Sequence, residues 1–402
     1  MEGHKGPVIV IGGGASGLLA AITVKSRGVP VVICERMNRL GRKILASGNG
    51  RCNLSNDKLD SSHYNPASKR LVDAVFNKFG KDDIIRLFES LGLKVYSEDG
   101  RIFPVTNQSS TVLKILEMEL GRLSIPVEYD FQVSKVTATK TGFVVLSASG
   151  RKVTGGAVIL ACGGKSYPSF GSDGSAYDIA KSFGHTIIEP VPSAVALVVK
   201  DELCHNLQGQ KIVARIKSLI GGKAVSESSG DLLFTKYGLS GTVILDSSRE
   251  ISVAINRNKS PGVIVSVDMV PFMSEAELVS DLSKRLGAGV PAEDLIAGIL
   301  PNKFGPALKE LLRVKDAKLI AKALKDKRFK VLGTRGWNEA DFTAGGVNSG
   351  EVDADHLASL VVRGLYFSGE ILDVDGKRGG YNLAWAWASG HVAGIGAATC
   401  VK

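Results

Sequence analysis

The stretch Val-Ile-Val-Ile-Gly-Gly-Gly-Ala-Ser-Gly, residues 8–17, decides the fold of this chain. Its four apolar residues predict a buried strand, and Gly12, Gly14 and Gly17 follow with the spacing G-x-G-x-x-G. Residues 18–27 are rich in alanine and leucine and predict a helix, and residues 29–35 predict a second strand that ends in a carboxylate. A strand, a glycine turn, a helix and a strand ending in an acid together indicate a βαβ unit that binds a dinucleotide.

Each part of this unit has a physical role. The first glycine allows a tight turn, the second lets the backbone approach a pyrophosphate, and the third lets helix and strand pack closely. Free N–H groups at the start of the helix favour phosphates, and a carboxylate at position 35 can accept hydrogen bonds from ribose hydroxyls while repelling a 2′-phosphate. The predicted cofactor contacts in this unit are Gly12, Gly14, Ala15, Ser16, Gly17, Glu35 and Arg36.

Composition excludes several classes of protein. The chain has 402 residues, 44% hydrophobic and 22% charged, which is ordinary for a soluble globular protein of two or three domains. No apolar run reaches the roughly 18 residues of a membrane span, so we expect no membrane association. Five cysteines, odd in number and without a C-x-x-C pair, predict reduced thiols and a cytoplasmic location.

The pattern of residues along the chain predicts a dinucleotide domain that is split in sequence. Period-two patterns over 127–154 predict an antiparallel meander, and the apolar run 157–161 predicts a return to a buried parallel strand. The predicted fold class is α/β, with a Rossmann-like domain formed by residues 1–192 and 336–402. Between these parts we expect a β-rich, barrel-like insertion over 193–270, including a strand at 251–255, and a helical insertion over 271–335.

Four long motifs resemble one flavoprotein family. They are Gly41-Arg-Lys-Ile-Leu-Ala-Ser-Gly-Asn-Gly-Arg-Cys-Asn53 and the segments 230–241, 342–347 and 364–387. The resemblance is to the bacterial FAD-binding proteins known as NAD(P)/FAD-dependent oxidoreductases, which include aminoacetone oxidase-like and bile-acid enone reductase-like enzymes. It spans nearly the whole chain. It implies a noncovalent FAD and an FAD domain like that of glutathione reductase.

The resemblance places the loop 41–53 along the pyrophosphate and the flavin. The residue types suit this role, because the basic side chains offer cationic donors and the glycines allow close backbone approach. The alternative without a functional role is a mobile polar loop. The sequence leaves open which of the basic residues Arg42, Lys43 and Arg51 meets phosphate and which could hold substrate. The candidate contacts are Arg42, Lys43, Gly48, Arg51, Cys52 and Asn53.

Further cofactor contacts follow from the same resemblance. Val133 would meet adenine through its backbone, and Ala161, Cys162 and Gly163 would form a second glycine turn in which the cysteine is a small buried residue and not a redox thiol. Gly369 and Glu370 would lie at the ribityl or pyrophosphate. A helix N-terminus facing the flavin pyrimidine edge is predicted at Gly380, Tyr381, Asn382 and Leu383, and Trp385 and Trp387 on that helix are expected to be core residues.

Two other types of site are not expected. The histidines show no metal-ligand spacing, so we predict no metal. The basic stretch 315–330 could be a nucleic-acid patch, but its apolar residues recur at helical spacing, and we therefore interpret it as a solvated helix face and expect no nucleic-acid partner.

The sequence thus predicts an FAD-dependent oxidoreductase that transfers a hydride between a small organic substrate and flavin N5. Two directions remain open: reduction of an enone-like substrate with NAD(P)H, or oxidation with dioxygen as acceptor. A different class of function is an FAD-holding RNA- or partner-binding protein without turnover. Only one complete G-x-G-x-x-G with its acid is present, and FAD needs it, so any NAD(P)H is expected to bind transiently.

Overall fold

The computed structural model describes residues 6–401 of the chain. The chain divides into two compact units. Unit 1 consists of residues Met1–Pro190 and Phe342–Lys402, and unit 2 consists of residues Val191–Asp341. The chain therefore leaves unit 1 once and returns to it once. The sequence predicts these two crossings after residues 192 and 335.

The strands and helices follow each other in this order. The strands are β1 (Val8–Ile11), β2 (Val31–Cys34), β3 (Ser55–Asn56), β4 (Val95–Glu98), β5 (Arg101–Pro104), β6 (Val127–Glu128), β7 (Val133–Thr139), β8 (Gly142–Ser147), β9 (Lys152–Gly155), β10 (Ala157–Leu160), β11 (Ile187–Ser193), β12 (Leu197–Val199), β13 (Lys211–Ile220), β14 (Lys223–Thr235), β15 (Gly238–Ser240), β16 (Ile264–Asp268), β17 (Lys327–Thr334), β18 (Phe342–Val347) and β19 (Leu365–Phe367). The α-helices are α1 (Ala15–Ser26), α2 (Arg42–Ala46), α3 (Lys69–Lys78), α4 (Lys81–Ser90), α5 (Ser109–Arg122), α6 (Ala176–Ser182), α7 (Glu202–Asn206), α8 (Thr242–Ser252), α9 (Glu275–Gly287), α10 (Phe304–Ala307), α11 (Lys309–Leu312), α12 (Ala317–Lys325) and α13 (Tyr381–Cys400).

The centre of unit 1 is a parallel sheet with the strand order β19-β10-β1-β2-β6. Val8 of β1 pairs with Ala157 on one side and with Val31 on the other. Every residue of β1, β2 and β10 is buried, as expected for central strands of a parallel sheet that is covered on both faces. The carboxyl ends of the five strands meet at one edge, which is where open α/β sheets bind their ligands.

Helices α1 and α13 pack closely in unit 1 because α13 carries small residues at their contact. A Cβ added to Gly390 would overlap the carbonyl oxygen of Ser16, so a side chain there would push the helices apart. Trp385 and Trp387 of the same helix are 1% and 0% exposed, which confirms that they are core residues.

The predicted antiparallel meander is confirmed within unit 1. β8 lies between β7 and β9 and pairs with both in the antiparallel sense. A second small antiparallel sheet has the order β3-β5-β4. Its strand β3 directly follows the loop after α2, so this sheet lies next to the candidate site.

Unit 2 contains a closed barrel with the order β12-β15-β14-β13-β16-β17. Its strands alternate between the two faces, as a half-buried strand must. In β13, Ile212, Ala214 and Ile216 are buried while Val213 and Arg215 between them are exposed. The observed architecture confirms the predicted fold class, a Rossmann-like α/β domain with a meander, a barrel-like insertion and helices.

Two local predictions in the inserted region were wrong. Residues 251–255, predicted as a strand, continue α8 into a π-helical turn, Val253–Arg257. The predicted helical segment ends at Lys325, and Lys327–Thr334 forms β17, which closes the barrel against β12 and β16. In this strand Phe329 and Val331 are buried and Arg328 and Lys330 are exposed, so a period of two replaces the helical period after Lys325.

Candidate cofactor site

The first glycine turn joins β1 to α1 at the carboxyl edge of the sheet. Gly12 has φ +108°, a left-handed conformation that favours glycine, and its N–H donates to the carbonyl of Cys34 at 2.9 Å. A Cβ on Gly17 would overlap the carbonyl oxygen of Gly12, whereas a Cβ on Gly14 would have no atom within 4 Å. The turn is therefore tight at its base and open above Gly14, beside the first residues of α1, Ala15 and Ser16.

Glu35 follows β2 and holds the first turn in place. Its Oε2 accepts a hydrogen bond from the N–H of Gly13 at 2.7 Å, and its Oε1 accepts one from the N–H of Met37 at 2.8 Å. Burial raises the pKa of Glu35, and the two N–H groups partly offset that rise. Each carboxylate oxygen retains a lone pair, so the side chain can still accept a ribose hydroxyl.

A cleft of about 510 Å³ opens next to Glu35. It is lined by Arg36, Met37, Asn38, Arg39, Arg42 and Asp130. Arg36 forms an ion pair with Asp173 at 2.7 Å. Asp130, at the far side of this cleft, lies three residues before Val133, the first residue of β7. The N–H of Phe131 donates to the carbonyl of Glu35 at 2.8 Å. The predicted adenosine contacts Glu35, Arg36 and Val133 thus lie on neighbouring segments.

Arg42 is the first residue of α2, and its side-chain Nε is buried without a hydrogen-bond partner among the described residues. Its guanidinium carbon lies 5.3 Å from the ring centre of Phe170. A buried donor without a partner costs free energy. The open space above Gly14 and this donor fit a phosphate-bearing cofactor such as FAD.

The rest of the loop is tightly constrained. Gly48 and Cys52 have φ +58° and +61°, and Asn53 presents a buried side-chain oxygen that accepts no hydrogen bond within residues 6–401. The guanidinium of Arg51 lies 4.0 Å from the ring centre of Phe103 and donates to Tyr96 Oη at 2.6 Å. Arg51 is therefore engaged by the β4–β5 hairpin.

The second glycine turn follows β10 and contains Ala161, Cys162 and Gly163. Cys162 donates its thiol hydrogen to the carbonyl of Ile11 at 3.2 Å. Burial raises the pKa of Cys162 to about 12 and that of Cys52 also to about 12, so both remain thiols at neutral pH. Neither sulfur is part of a disulfide.

The turn after β19 and the start of α13 complete the site. The N–H of Gly369 donates to Ser389 Oγ at 2.9 Å, and the indole of Trp385 donates to the carbonyl of Gly369 at 3.1 Å. α13 begins at Tyr381 after Gly380, whose φ is +100°. Asn382 accepts from the N–H of Gly376 and donates to its carbonyl, both at 2.9 Å, while Leu383 continues the first helical turn.

Two contacts were missed by sequence reasoning. The ring of His63 stacks on Tyr381, with centres 4.4 Å apart and planes 21° apart. Lys43, predicted as a cofactor contact in the loop 41–53, forms an ion pair with Glu370, predicted at the ribityl or pyrophosphate, with Nζ and Oε2 2.6 Å apart. These partners are hundreds of residues apart, and a single sequence offers no signal that pairs them.

Two features are absent from residues 6–401. No helix in this range has the length and apolar character needed to cross a membrane. No group of three or more His, Cys, Asp and Glu side chains in the same range is placed to hold a metal ion.

The chain matches the family described as HI0933-like protein Rossmann domain over residues 6–396. It is 38% identical over 404 aligned residues to a 3-dehydro-bile acid delta(4,6)-reductase of Clostridium scindens, covering 97% of this chain and 98% of the relative. It is 29% identical to a ribosomal RNA dihydrouridine synthase of Escherichia coli, covering 95% of each chain. The corresponding Haemophilus influenzae protein is 28% identical, covering 96% of this chain and 97% of the relative.

Solved structures share the fold at low identity. A 3-ketosteroid-delta4-(5alpha)-dehydrogenase of Rhodococcus jostii RHA1 matches with a TM-score of 0.50 and 16% identity, covering 98% of this chain and 97% of that one. A 3-ketosteroid delta1-dehydrogenase of Sterolibacterium denitrificans matches with a TM-score of 0.51 and 14% identity, covering 98% and 100%. With its Rossmann-like sheet, its open glycine turn and a family match over nearly its full length, the chain belongs to the HI0933-like family of FAD-binding Rossmann proteins and is a flavoprotein of the oxidoreductase class.

Proposed function

We propose that this protein is an FAD-dependent reductase of a carbon–carbon double bond conjugated with a ketone, acting on a small, steroid-like substrate. The observation that carries the proposal is the 38% identity, over 97% of the chain, to a 3-dehydro-bile acid delta(4,6)-reductase. The overall reaction adds two hydrogen atoms across the double bond. The conjugated ketone draws electron density from the far alkene carbon, which makes that carbon a hydride acceptor.

The described site supports this proposal because its residues fit FAD. The start of α1 and Arg42 would hold the pyrophosphate, and Glu35 the ribose, with Arg36 and Val133 at the adenine end. When bound, FAD supplies two-electron hydride chemistry at its N5 atom. The remaining proposed contacts are Gly12, Gly14, Ser16, Gly17, Gly48, Cys52, Asn53, Ala161, Cys162, Gly163, Gly369, Gly380, Tyr381, Asn382 and Leu383.

The start of α13 would tune the cofactor electrostatically. The first N–H groups of a helix have no partner within it and carry a partial positive charge. Asn382 ties this end of α13 to Gly376, so the charge is held in a fixed place. We expect it to stabilise negative charge on a reduced flavin and so to favour electron acceptance.

We propose that the electrons come from NADH or NADPH bound transiently. The sequence contains one complete G-x-G-x-x-G with its acid, and FAD requires that motif. The nicotinamide therefore has no second Rossmann unit of its own, and we expect a dissociation constant above about 10 μM. The nicotinamide would then bind the oxidised enzyme, and the substrate would bind the reduced enzyme.

The experiment is anaerobic stopped-flow on the purified yellow protein. Bleaching of the flavin by NADH or NADPH is followed by mixing with a steroid that carries a ketone conjugated with two double bonds. Return of the yellow colour, together with a product heavier by two or four hydrogen atoms in mass spectrometry, supports the proposal. The saturated ketone is the matched control and should leave the flavin bleached. Reoxidation by dioxygen with an unreacted enone would instead identify an oxidase.

A second candidate is reduction of the uracil C5=C6 bond in RNA, which is also conjugated with a carbonyl. It is favoured by the relatives named ribosomal RNA dihydrouridine synthase at 29% and 28% identity. The basic stretch 315–330 supports RNA binding only in part, because three of its basic side chains are already neutralised by carboxylates. These ion pairs are Lys325 with Asp268, Lys327 with Asp201, and Arg328 with Asp326. Lys318 and Lys322 on α12 are exposed.

The two candidates separate in one comparison. RNA incubated with the reduced protein is digested and searched for dihydrouridine, beside the steroid assay. If RNA is the substrate, Lys318→Glu with Lys322→Glu should lower RNA turnover and change no other measured property. The reason is that lost phosphate contacts weaken RNA binding in a salt-dependent way. Lys114→Glu with Lys140→Glu, on exposed positions of unit 1, is the control of equal charge change.

A further inference from the structure

The start of α13 carries an imidazole to which the proposed function assigns no role. The ring of His63 stacks on that of Tyr381, the first residue of α13, with centres 4.4 Å apart. The N–H of Lys377 donates to the carbonyl of His63 at 2.8 Å, and Tyr64 Oη donates to the carbonyl of Tyr381 at 2.7 Å. These contacts fix His63 against the end of α13 that is proposed to face the flavin.

The surroundings of His63 favour its neutral form. Its Nδ1 is buried and has no hydrogen-bond partner among the described residues. Burial lowers the pKa of His63, the carboxylate of Asp60 raises it, and the cations of Lys377 and Lys58 lower it. Because Asp60 Oδ2 lies 3.8 Å from Nε2, beyond hydrogen-bond distance, this carboxylate offsets the effect of burial only in part.

The other ionisable groups around His63 keep their charge state near neutral pH. Hydrogen bonds from the hydroxyl and N–H two residues on hold the pKa of Asp60 below its ordinary value, so this carboxylate stays ionised. Burial raises the pKa of Tyr381, so the stacked phenol stays uncharged. On α3, which packs against the same turn, Lys69 and Asp73 pair with each other at 2.9 Å. Of these groups, His63 is the one that can gain a proton near neutral pH.

We propose that His63 binds a proton when the cofactor gains two electrons and releases that proton when the cofactor is oxidised again. This inference rests on the FAD site proposed above, with the start of α13 at the flavin. A hydride donor brings two electrons and one proton, so the site gains one negative charge. A negative charge nearby favours the protonated imidazole. The second proton comes from solvent and binds the bare ring nitrogen of His63, which restores the charge balance of the site.

The proposal predicts how the midpoint potential of the flavin depends on pH. Each proton taken up with two electrons shifts the potential by about 30 mV per tenfold change in proton concentration. Uptake of one proton gives a slope of about −30 mV per pH unit, and uptake of a second proton by His63 gives about −60 mV per pH unit. The steeper slope applies between the pKa of His63 in the oxidised protein and its higher pKa in the reduced protein. The dipole of α13 and fixed cations move the potential without changing its slope.

The experiment measures the midpoint potential of the FAD-loaded full chain between about pH 5 and about pH 8. The original should show the steeper slope over at least about one pH unit, whereas His63→Gln should show about −30 mV per pH unit throughout. His63→Lys carries its charge across this range. It should therefore show the shallow slope as well, with a higher potential than His63→Gln at each pH. Absorption spectra of the reduced protein show whether the flavin itself binds the second proton.

The chain offers a matched control histidine beside the far half of α13. A Cβ added to Gly396 would lie 2.7 Å from His356 Cβ, and Gly396 is 15 residues beyond Tyr381, roughly 22 Å along the helix. His356 also faces a carboxylate, with its Nδ1 3.4 Å from Asp353 Oδ2. His356→Gln should leave both the potential and its slope unchanged.

Two outcomes would overturn the proposal. A slope of about −30 mV per pH unit in the original across the whole range would mean that no second proton accompanies the electrons, and this measurement needs no variant. Equal, steep slopes in the original and in His63→Gln would assign the second proton to another group, and the spectra would show whether that group is the flavin. Lower stability of His63→Gln with an unchanged slope would mean a structural role alone. A protein that binds no FAD would instead refute the proposed function.

Discussion

Two glycine turns at the same edge of the parallel sheet in unit 1 are built for opposite purposes. The turn after β1 leaves open space, because a Cβ on Gly14 would meet no atom within 4 Å. The turn after β10 is filled, because a Cβ on Gly164 would lie 2.8 Å from Thr343 Cβ and 3.1 Å from Glu370 Cδ. Both turns look alike in sequence, as a buried apolar strand followed by glycines.

The difference teaches what each glycine excludes. At the first turn the missing side chain makes room for a ligand beside the start of α1. At Gly164, which ends the second turn, the missing side chain makes room for other parts of the protein, the side chains of Thr343 and Glu370. A glycine after a parallel strand is therefore evidence of close approach, and the sequence does not say whether ligand or protein approaches.

The largest expected effect is at the base of the first turn. Gly17→Ala places a Cβ onto the carbonyl oxygen of Gly12, and the neighbouring backbone cannot move without separating β1 from α1. We expect loss of soluble folded protein. Gly121→Ala in α5 is the control, because nothing lies within 4 Å of its Cβ, and it should stabilise the chain by roughly 0.5–1 kcal/mol. Equal expression and equal unfolding temperatures for the two variants would contradict the overlap argument.

Gly164→Ala tests whether the second turn is filled by protein. The added methyl must displace Thr343 or Glu370, and overpacking of this kind costs about 1–3 kcal/mol. Urea unfolding of the full chain should show this loss both with and without added FAD. A loss seen only when FAD is added would mean that Gly164 itself faces the cofactor.

Gly14→Ala tests the opposite claim for the first turn. Its φ of −82° suits alanine and there is space for the methyl group, so stability without FAD should change by less than about 0.5 kcal/mol. The methyl group would keep the backbone away from the pyrophosphate, and the FAD dissociation constant should rise about 10-fold, close to 1.4 kcal/mol. Flavin fluorescence quenching measures it. Unchanged FAD affinity would show that the space above Gly14 is not used.

The sequence predicts the fold of unit 1 well because the strongest signals are local. The apolar runs of β1 and β10 and the glycine spacing after Ile11 are each readable within about a dozen residues. The barrel was anticipated, but its last strand was not, because residues 327–334 follow an amphipathic helix and carry many lysines and arginines. Pairing with β12 and β16 decides that strand, and pairing is not a local property.

The sequence predicts which residues belong to the candidate site better than it predicts their hydrogen-bond and ion-pair partners. The sequence predicts Lys43 and Glu370 near the cofactor independently, each with a role toward the ligand. The structure shows that each is the other's partner. In the same way Glu35 was assigned to ribose alone, whereas its carboxylate also accepts the N–H of Gly13. Long-range polar pairing within a site depends on the folded chain, and one sequence carries no trace of it.

The smallest expected effect is a pH dependence that belongs to the first turn. Burial raises the pKa of Glu35 above its ordinary value of 4.5, even though the N–H groups of Met37 and Gly13 lower it. Between the ordinary and the raised pKa the folded chain binds more protons than the unfolded chain, so the free energy of unfolding falls as pH rises through that window and is greatest below it. Glu35→Gln does not titrate. The contribution of Glu35 to the free energy of unfolding, taken as the original chain minus the variant, should therefore decrease as the pH rises above 4.5, the ordinary pKa of this side chain. Urea unfolding of both chains across this range, without FAD, measures it. A contribution that increases with pH would show that the hydrogen bonds from Gly13 and Met37 outweigh the effect of burial on the pKa of Glu35.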